Sequence, residues 1–256
     1  MKLVSWNVNS LKVRLPRVLE LLAEHRPDLA LLQETKTEPE AFPHAELAAA
    51  GYRGAHHSAG RWAGVALLAP EATPLEDECA GLAGEPASDE ARWLEARVGE
   101  LRAVSVYVPN GRAVGTPTFD DKLRFLEAAA ERIRALASEP LVVAGDFNVC
   151  PADRDVYDPV AFVGSTHVTP EERARFRALL GAGTVDAFRE LHPEEPGFTW
   201  WDYRQGHFHR KMGLRIDAFL LSAPLAGRVV ACGIDRSYRK GPKPSDHAPL
   251  LLELAD

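Results

Sequence analysis

Two polar side chains that can do metal or phosphate chemistry follow an apolar run in the middle of the chain. Residues 141–144 (Leu-Val-Val-Ala) are typical of a buried strand, and Asp146 and Asn148 come directly after it. Side chains two residues apart project from the same face of an extended strand. A carboxylate beside a carboxamide suits metal and phosphate chemistry better than packing, so we expect other segments to supply partners for this pair.

Further polar residues stand at the borders of other apolar runs. They are Asn7, Glu34, Tyr107, Asn110, Asp217, Asp246 and His247. If the strands run in the same direction, these side chains gather at one edge of the sheets. Taken alone, Glu34 can cap a turn, and Asp217 can pair with the neighbouring Arg215. Residues 245–247 can likewise form a simple Asx turn, but the coincidence of all these positions favours one site.

The residue types agree with a single chemistry. Oxygen ligands without cysteine suit a hard cation such as Mg²⁺. The sequence has no serine elbow of the kind that supports acyl transfer, and neither GxxxxGK(S/T) nor GxGxxG, so ATP and dinucleotide binding have no support. Carboxylates, amides, a tyrosine and a histidine suit a metal-assisted attack of water on a phosphodiester.

The apolar periodicity offers ten strand candidates, from which we predict roughly nine strands, and at least three helices. Strand candidates span residues 2–8, 29–32, 64–69, 93–98, 101–108, 141–144, 198–201, 216–221, 229–234 and 249–254. Predicted helices span residues 15–26, with Pro16 in the first turn, and residues 118–138, capped by Thr118; a third follows the capping box at Thr169. This mixture favours an α/β or α+β fold in which two sheets pack face to face.

Composition bounds the class of protein. The 256 residues are 46% hydrophobic and 26% charged, a globular mixture, and the net charge of −7 argues against coating nucleic acid through bulk charge. Three cysteines without metal-site spacing indicate free thiols in a reducing compartment. No apolar run approaches the ~20 residues of a membrane span. We expect a soluble, cytoplasmic, monomeric protein with one catalytic domain over residues 1–256 and no membrane partner.

Six motifs carry a family resemblance. They are residues 6–9 (Trp-Asn-Val-Asn), 32–36 (Leu-Gln-Glu-Thr-Lys), 107–111 (Tyr-Val-Pro-Asn-Gly), 145–149 (Gly-Asp-Phe-Asn-Val), 214–217 (Leu-Arg-Ile-Asp) and 245–249 (Ser-Asp-His-Ala-Pro). In this order the chain resembles the exonuclease III and AP endonuclease family, within the larger endonuclease/exonuclease/phosphatase group that also holds deoxyribonuclease I. The resemblance implies a four-layer α/β/β/α sandwich with two mixed sheets.

The same resemblance implies a metal site. Glu34 corresponds to the main Mg²⁺ ligand, with Asn7 and Asp246 nearby, and Mn²⁺ is a possible substitute. If the site holds two ions rather than one, Asp146, Asn148 and His247 become ligands as well.

It also implies catalytic roles. Asp146 resembles the group that orients and deprotonates the attacking water, and Asn148 would hold that water or the phosphate. Tyr107 would bond a phosphate oxygen, while His247, oriented by Asp217, would contact the scissile phosphate. Whether Asp146 or His247 is the general base stays open.

Substrate contacts are expected in less regular segments. Trp200, Leu214 and Ile216 match the apolar pocket that receives a flipped-out abasic sugar or a 3′ terminus in this family; core packing is the alternative. Arg204, in the basic loop of residues 204–211, and Arg112 are candidates for the DNA backbone. The expected partner is duplex DNA with abasic sites, nicks or 3′ ends.

His167 departs from the family pattern, because many relatives carry a smaller residue there. A bulkier side chain would narrow the pocket and favour 3′-end processing over incision at abasic sites. The alternative is an exposed loop histidine.

The leading hypothesis is therefore a Mg²⁺-dependent DNA repair nuclease with 3′→5′ exonuclease, 3′-end processing and AP endonuclease activities. One alternative is a phosphatase or phosphodiesterase that acts on a small phosphoester. The other is a catalytically silent DNA-binding relative, which the complete set of acids, amides and histidine disfavours, because buried charges are costly to retain without a metal.

Overall fold

The computed structural model describes residues 1–255 and contains two six-stranded sheets. The strands are β1 (Lys2–Asn7), β2 (Leu29–Gln33), β3 (Tyr52–His57), β4 (Val65–Pro70), β5 (Glu76–Ala80), β6 (Trp93–Val98), β7 (Leu101–Tyr107), β8 (Leu141–Asp146), β9 (Thr184–Asp186), β10 (Asp217–Ser222), β11 (Val229–Ile234) and β12 (Leu250–Leu254). The helices are α1 (Leu11–His25), α2 (His44–Ala49), α3 (Pro117–Leu136), α4 (Pro170–Gly181), α5 (Ala187–Leu191) and α6 (Ala223–Ala226). Within these residues no helix is both long and apolar enough to cross a membrane.

The first sheet has the strand order β11-β12-β1-β2-β4-β3, and the second has the order β5-β6-β7-β8-β10-β9. Both are mixed: β1 and β2 are parallel, as are β7 and β8, whereas β12 runs antiparallel to β1 and β10 antiparallel to β8. The ends of β1, β2, β7 and β8 therefore meet the beginnings of β10 and β12 at one edge.

The sheets pack face to face through a core that includes Leu3 and Leu67 of the first sheet and Val142 and Phe219 of the second. On the outer face of the second sheet, α3 and α4 cover a separate apolar cluster, and α1 covers the outer face of the first sheet. The predicted four-layer α/β/β/α sandwich with two mixed sheets is thus confirmed.

The close approach of β7 and β8 requires a glycine before Asp146. A Cβ atom at Gly145 would lie 1.9 Å from the carbonyl oxygen of Val106. Any other residue would push the two strands apart and displace Asp146, which is paired with Tyr107 on one side and with Asp217 on the other.

Several element boundaries differ from the predictions. Helix α1 begins at Leu11, so Pro16 lies inside the helix rather than in its first turn. Its start is held elsewhere, since the backbone amides of Ser10 and Leu11 donate to the carbonyls that follow β2. Helix α3 begins at Pro117 after Thr116, not at Thr118.

Other differences concern strands. Residues 198–201 form no strand and make only single bridges through Trp200 to Leu214 and His247. Strands β3, β5 and β9 were not predicted, because β3 and β5 are only partly buried or exposed and β9 is three residues long.

A buried ion-pair network lies beside the start of β10. The Arg215 guanidinium donates to Asp155 and Asp186, each at 2.7 Å, and Arg189 donates to Asp155 at 2.6 Å. Arg215 therefore pairs with two distant acids and not with the adjacent Asp217, which is left available to the polar edge.

We predict that Arg215→Met lowers the free energy of unfolding by about 3–5 kcal/mol, because it leaves buried carboxylates without their cation. Arg53→Ala, which breaks an exposed pair with Glu71, should change it by less than about 1 kcal/mol. Urea denaturation measures both changes. Equal effects of the two substitutions would contradict a structural role for the buried network.

Candidate active site

A narrow polar cavity of about 150 Å³ opens at the edge where strand ends of both sheets converge. It is lined by Glu34, Tyr107, Asn110, Asp146, Asn148, His167, Trp200, Ile216, Asp246 and His247. Asn7 and Asp217 are buried directly behind this wall. The polar residues noted at the borders of apolar runs are therefore brought together, although Asp217 begins β10 and His247 precedes β12 rather than following a strand.

His247 lies between two carboxylates. Its Nδ1 atom is 2.9 Å from Oδ2 of Asp217, and its Nε2 atom is 3.7 Å from Oδ2 of Asp146. Asp217 thereby fixes the imidazole ring with Nε2 directed towards Asp146. This arrangement belongs to both sheets, because Asp146 and Asp217 lie on β8 and β10 and His247 precedes β12.

The buried charges shift one another's protonation. Burial alone lowers the pKa of His247, but Asp217 and Asp146 outweigh it and raise that pKa to about 10. Burial raises the pKa of Asp146 to about 8; His247 opposes this rise, whereas Asp217 and Glu34 add to it. At neutral pH His247 is a cation, and Asp146 is an unusually basic carboxyl group.

Asp146 is also held by neutral donors. Its Oδ1 atom accepts from the backbone amide of Asn148 at 2.9 Å, and its Oδ2 atom accepts from the Asn7 amide at 3.0 Å. Asn148 adopts a left-handed backbone conformation, φ +52°, and its side chain contacts Asn110 and the Val108 carbonyl. The carboxyl group is therefore fixed in position before any substrate binds.

Tyr107 ends β7 and faces Glu34. Burial raises its pKa well above the ordinary value, and the Glu34 carboxylate adds to this effect. The guanidinium carbon of Arg92 lies 4.7 Å from the centre of the Tyr107 ring. Tyr107 is therefore a neutral phenol at the pH of the cell, able to donate a hydrogen bond to an anion.

The carboxylate of Glu34 binds cationic and amide groups. The Lys36 ammonium lies 2.6 Å from Oε2, and the Asn7 amide donates to Oε1 at 2.8 Å. Ligand atoms of Glu34, Asp146 and His247 lie within 4.8 Å of one another. Glu34 and Asp146 offer hard oxygen donors that lie close together, and the Glu34 carboxylate already contacts a cation. These features fit a divalent metal ion.

Asp246 stands at the other side of the cavity. Its Oδ1 atom accepts from the Asn9 amide at 3.0 Å, and its Oδ2 atom accepts from the indole nitrogen of Trp200 at 3.0 Å. The Trp200 ring is thus fixed at the rim by a polar contact.

Of the predicted substrate contacts, His167, Trp200 and Ile216 line the cavity, whereas Leu214 is buried beneath them. The Nδ1 atom of His167 lies 2.6 Å from the Asn148 carbonyl oxygen. Burial lowers the pKa of His167 to about 4, with help from Lys122, so this ring is neutral. The exposed-loop alternative for His167 is wrong.

The two candidate arginines lie outside this cavity. Arg112 lines a neighbouring, wider cavity of about 490 Å³ that shares Glu34 and Tyr107 with the site. Arg204 is highly exposed and paired with Asp202 at the surface, so the structure does not bring it to the cavity.

Sequence reasoning missed three cations that contact the site. Lys36 belongs to the Glu34 motif, and Arg92 is far from any recognised motif. Lys122 is buried on the apolar face of α3 among Phe119, Phe125 and Leu126. A lysine in an apolar helical stripe was a signal that could have revealed it.

Comparison with known proteins finds a family match and curated relatives of similar length. The family model described as "Endonuclease/Exonuclease/phosphatase family" matches residues 4–247. The exodeoxyribonuclease III of Haemophilus influenzae is 33% identical over 270 residues, which cover 99% of each chain. DNA repair nuclease APEX1 of Danio rerio is 32% identical and is matched over 100% of this chain and 82% of that protein.

Solved structures are similar over the whole chain. The 3′ phosphatase NExo from Neisseria, in a complex with a product DNA hairpin, superposes with a TM-score of 0.97 at 38% identity, covering 100% of both chains. An AP endonuclease from Archaeoglobus fulgidus superposes with a TM-score of 0.95 at 34% identity, covering 99% of both chains.

We predict that Asp217→Asn lowers the pKa of His247, because the largest charge that favours the imidazolium is removed. A raised folded pKa contributes stability that is complete below about 6.5, the unfolded value, and is lost as pH rises through the folded value. The substitution should therefore lower the free energy of unfolding by on the order of 2 kcal/mol below pH 6.5 and by progressively less towards pH 10. Denaturant unfolding between pH 6 and 10 without divalent cations measures this, and a pH-independent difference would contradict the account.

Proposed function

We propose that this chain, which belongs to the endonuclease/exonuclease/phosphatase family, is a DNA repair nuclease of the exonuclease III and AP endonuclease type. In this proposal it hydrolyses phosphodiesters in the cavity around Asp146 and His247, at 3′ ends, nicks and abasic sites of duplex DNA. The chain acts as a single catalytic domain, a monomer, in the cytoplasm.

One observation carries the proposal: a basic carboxyl group and an imidazolium face the same small cavity. Nε2 of His247 lies 3.7 Å from Oδ2 of Asp146, and Asn148 and Tyr107 line the same space. A group that accepts a proton from water beside groups that donate to phosphate oxygens is the arrangement that phosphodiester hydrolysis needs.

In the proposed reaction, Asp146 is the general base. Its raised pKa suits the removal of a proton from water near neutral pH, because a base works best when its pKa is close to the operating pH. The water oxygen forms a new bond to phosphorus and its proton passes to Asp146. The ester bond between phosphorus and the leaving sugar oxygen breaks, and that oxygen takes a proton from solvent water to become a hydroxyl group. Asn7 and the Asn148 backbone amide keep the carboxyl group directed at the water.

His247 and Tyr107 serve the charge that develops on the phosphate. The imidazolium donates from Nε2, and its Nδ1–H stays bound to Asp217, so this ring acts as a fixed cation rather than as the base. The neutral phenol of Tyr107 donates a hydrogen bond. Donors that are fixed in advance of the reaction usually contribute the largest share of such catalysis.

With Asp146 as the base and His247 as a cation, the residue that would hold a single Mg²⁺, or Mn²⁺ in its place, is Glu34, with Asp246 at the opposite side of the cavity. When bound, such an ion supplies positive charge that stabilises the phosphate oxygens in the transition state. Asn7 presents its amide nitrogen to Glu34 and Asp146, so we assign it to holding these carboxylates rather than to ligation.

We predict that Asp146→Asn lowers cleavage of a recessed 3′ end by at least about 100-fold, the usual size of a general-base contribution. Stability should not fall, because burial and neighbouring acids already disfavour the charged carboxylate. Asp89→Asn, at an exposed position, is the matched control.

The assay is run with Mg²⁺ and with EDTA. Cleavage that continues in EDTA would contradict metal dependence, and full activity of Asp146→Asn would contradict the assigned base. A protein that hydrolyses only small phosphoesters, or that binds DNA without cutting it, would support one of the two alternative functions.

His167 supports a preference for 3′ ends. Its ring lies against the Asn148 carbonyl and forms part of the cavity wall, and its backbone is held at φ +79°, an unusual conformation for a residue with a side chain. A ring at this position leaves less room for a flipped-out abasic sugar than a smaller residue would.

We predict that His167→Gly raises the rate of abasic-site incision relative to 3′-end cleavage by about tenfold, or about 1.4 kcal/mol of transition-state binding. Glycine also tolerates the positive φ, so the fold should be retained. Single-turnover rates on an abasic duplex and on a recessed 3′ end give the ratio. If the wild type cleaves both substrates at equal rates and His167→Gly leaves these rates unchanged, His167 does not set a preference for 3′ ends.

A further inference from the structure

A lysine and a glutamate with no exposed side-chain surface lie in contact behind the cavity wall. Lys122 comes from α3 and Glu172 from the first turn of α4, and both side chains are 0% exposed. Neither touches the cavity, and neither has a part in the proposed reaction.

The Lys122 ammonium binds backbone groups of the site. It donates to the carbonyl oxygens of Asn148 at 2.6 Å and Asn110 at 3.3 Å, to the hydroxyl of Thr166 at 3.1 Å, and to Glu172. Asn110 and Asn148 follow β7 and β8 and line the cavity. One cation therefore joins the two loops that leave these neighbouring strands.

The Glu172 carboxylate holds the segment that carries His167. Its Oε1 atom accepts from the backbone amide of His167 at 2.8 Å and from the Thr166 hydroxyl at 2.7 Å. Its Oε2 atom accepts from the amide and hydroxyl of Thr169 at 3.0 and 2.8 Å, which caps α4. The Nδ1 atom of His167 contacts the same Asn148 carbonyl oxygen that Lys122 binds, so the His167 ring is part of this hydrogen-bond network.

Fold stability alone does not account for this pair. Burial lowers the pKa of Lys122. Burial alone would raise the pKa of Glu172, but the adjacent Lys122 ammonium has the larger effect, so the pKa of Glu172 lies below its usual value. Desolvation of both charges offsets much of their attraction, and an apolar pair of similar volume often holds two helices equally well. What charged groups add is several directional contacts at fixed positions.

We infer that Lys122 and Glu172 are positioning residues that set the preference between 3′ ends and abasic sites. They do so by holding the His167 ring against the Asn148 carbonyl at the cavity wall. This inference rests on the proposed nuclease function.

The variant that tests it removes both charges together. Lys122→Met alone leaves a buried carboxylate unpaired and should lower the Tm by about 10 °C, which would obscure any positioning role. Lys122→Met/Glu172→Gln removes that penalty, and glutamine can still accept from Thr169. The matched control is Arg175→Met/Glu127→Gln, which breaks an exposed pair between the same two helices.

Single-turnover rates on a recessed 3′ end and on an abasic duplex are measured for these proteins, with and without His167→Gly. In the double variant we expect the maximal single-turnover rate on the 3′ end to fall about 10- to 100-fold, as for a small misplacement of a reacting group. The enzyme concentration that gives half of this rate should change little. The ratio of abasic to 3′-end rates should rise about tenfold, and in the His167→Gly background it should not change further. The control should match the wild type.

Exchange of the His167 Nδ1 proton, followed by NMR, is measured in parallel and needs no activity. It should be faster in the double variant. The inference would be overturned if the double variant kept both the wild-type ratio of abasic to 3′-end rates and the wild-type exchange rate. Equal losses of rate on both substrates, which leave that ratio unchanged, would also overturn it. If the wild type cleaves neither substrate, the nuclease function is wrong, and the exchange rate alone decides whether the pair positions His167.

Discussion

The hydrogen bond between His247 and Asp217 joins the two sheets at their polar edge. Asp217 begins β10 in the second sheet, His247 precedes β12 in the first, and their contact is 2.9 Å. The Asn7 amide crosses in the same way to Asp146 at 3.0 Å. These contacts exist only while the sheets pack face to face, so the core formed by Leu31, Val142 and their neighbours also sets the geometry of the cavity.

The charge distribution follows from this arrangement. Acids from both sheets meet at one edge, and Lys36, Arg92 and His247 offset them from within the protein. These cations offset part of the acidic charge within a chain whose net charge is −7. Burial raises the pKa of Asp146, with Asp217 and Glu34 adding to the rise, and that shift gives the carboxyl group its basicity.

Much of the fold and the cavity could be predicted because local patterns carry them. Apolar runs located most of the central strands, and the polar residues at their borders located the cavity. Lys122, in contrast, was assigned no role, although it is buried on the apolar face of α3 beside Phe125 and Leu126. Its partner Glu172 is 50 residues away, and the partners of Arg215 are 29 and 60 residues away. Long-range pairings of this kind have no periodic signal, so sequence alone could not reveal them.

In the proposed reaction, this cavity activates water to attack phosphorus. The most direct measurement is a single-turnover cleavage of a duplex with a recessed 3′ end in ¹⁸O-enriched water, followed by mass spectrometry of the products. Attack of water on phosphorus places one ¹⁸O atom in the phosphate group of the released nucleotide and none in the sugar hydroxyl. Label in the sugar, or cleavage without any incorporated label, would contradict it.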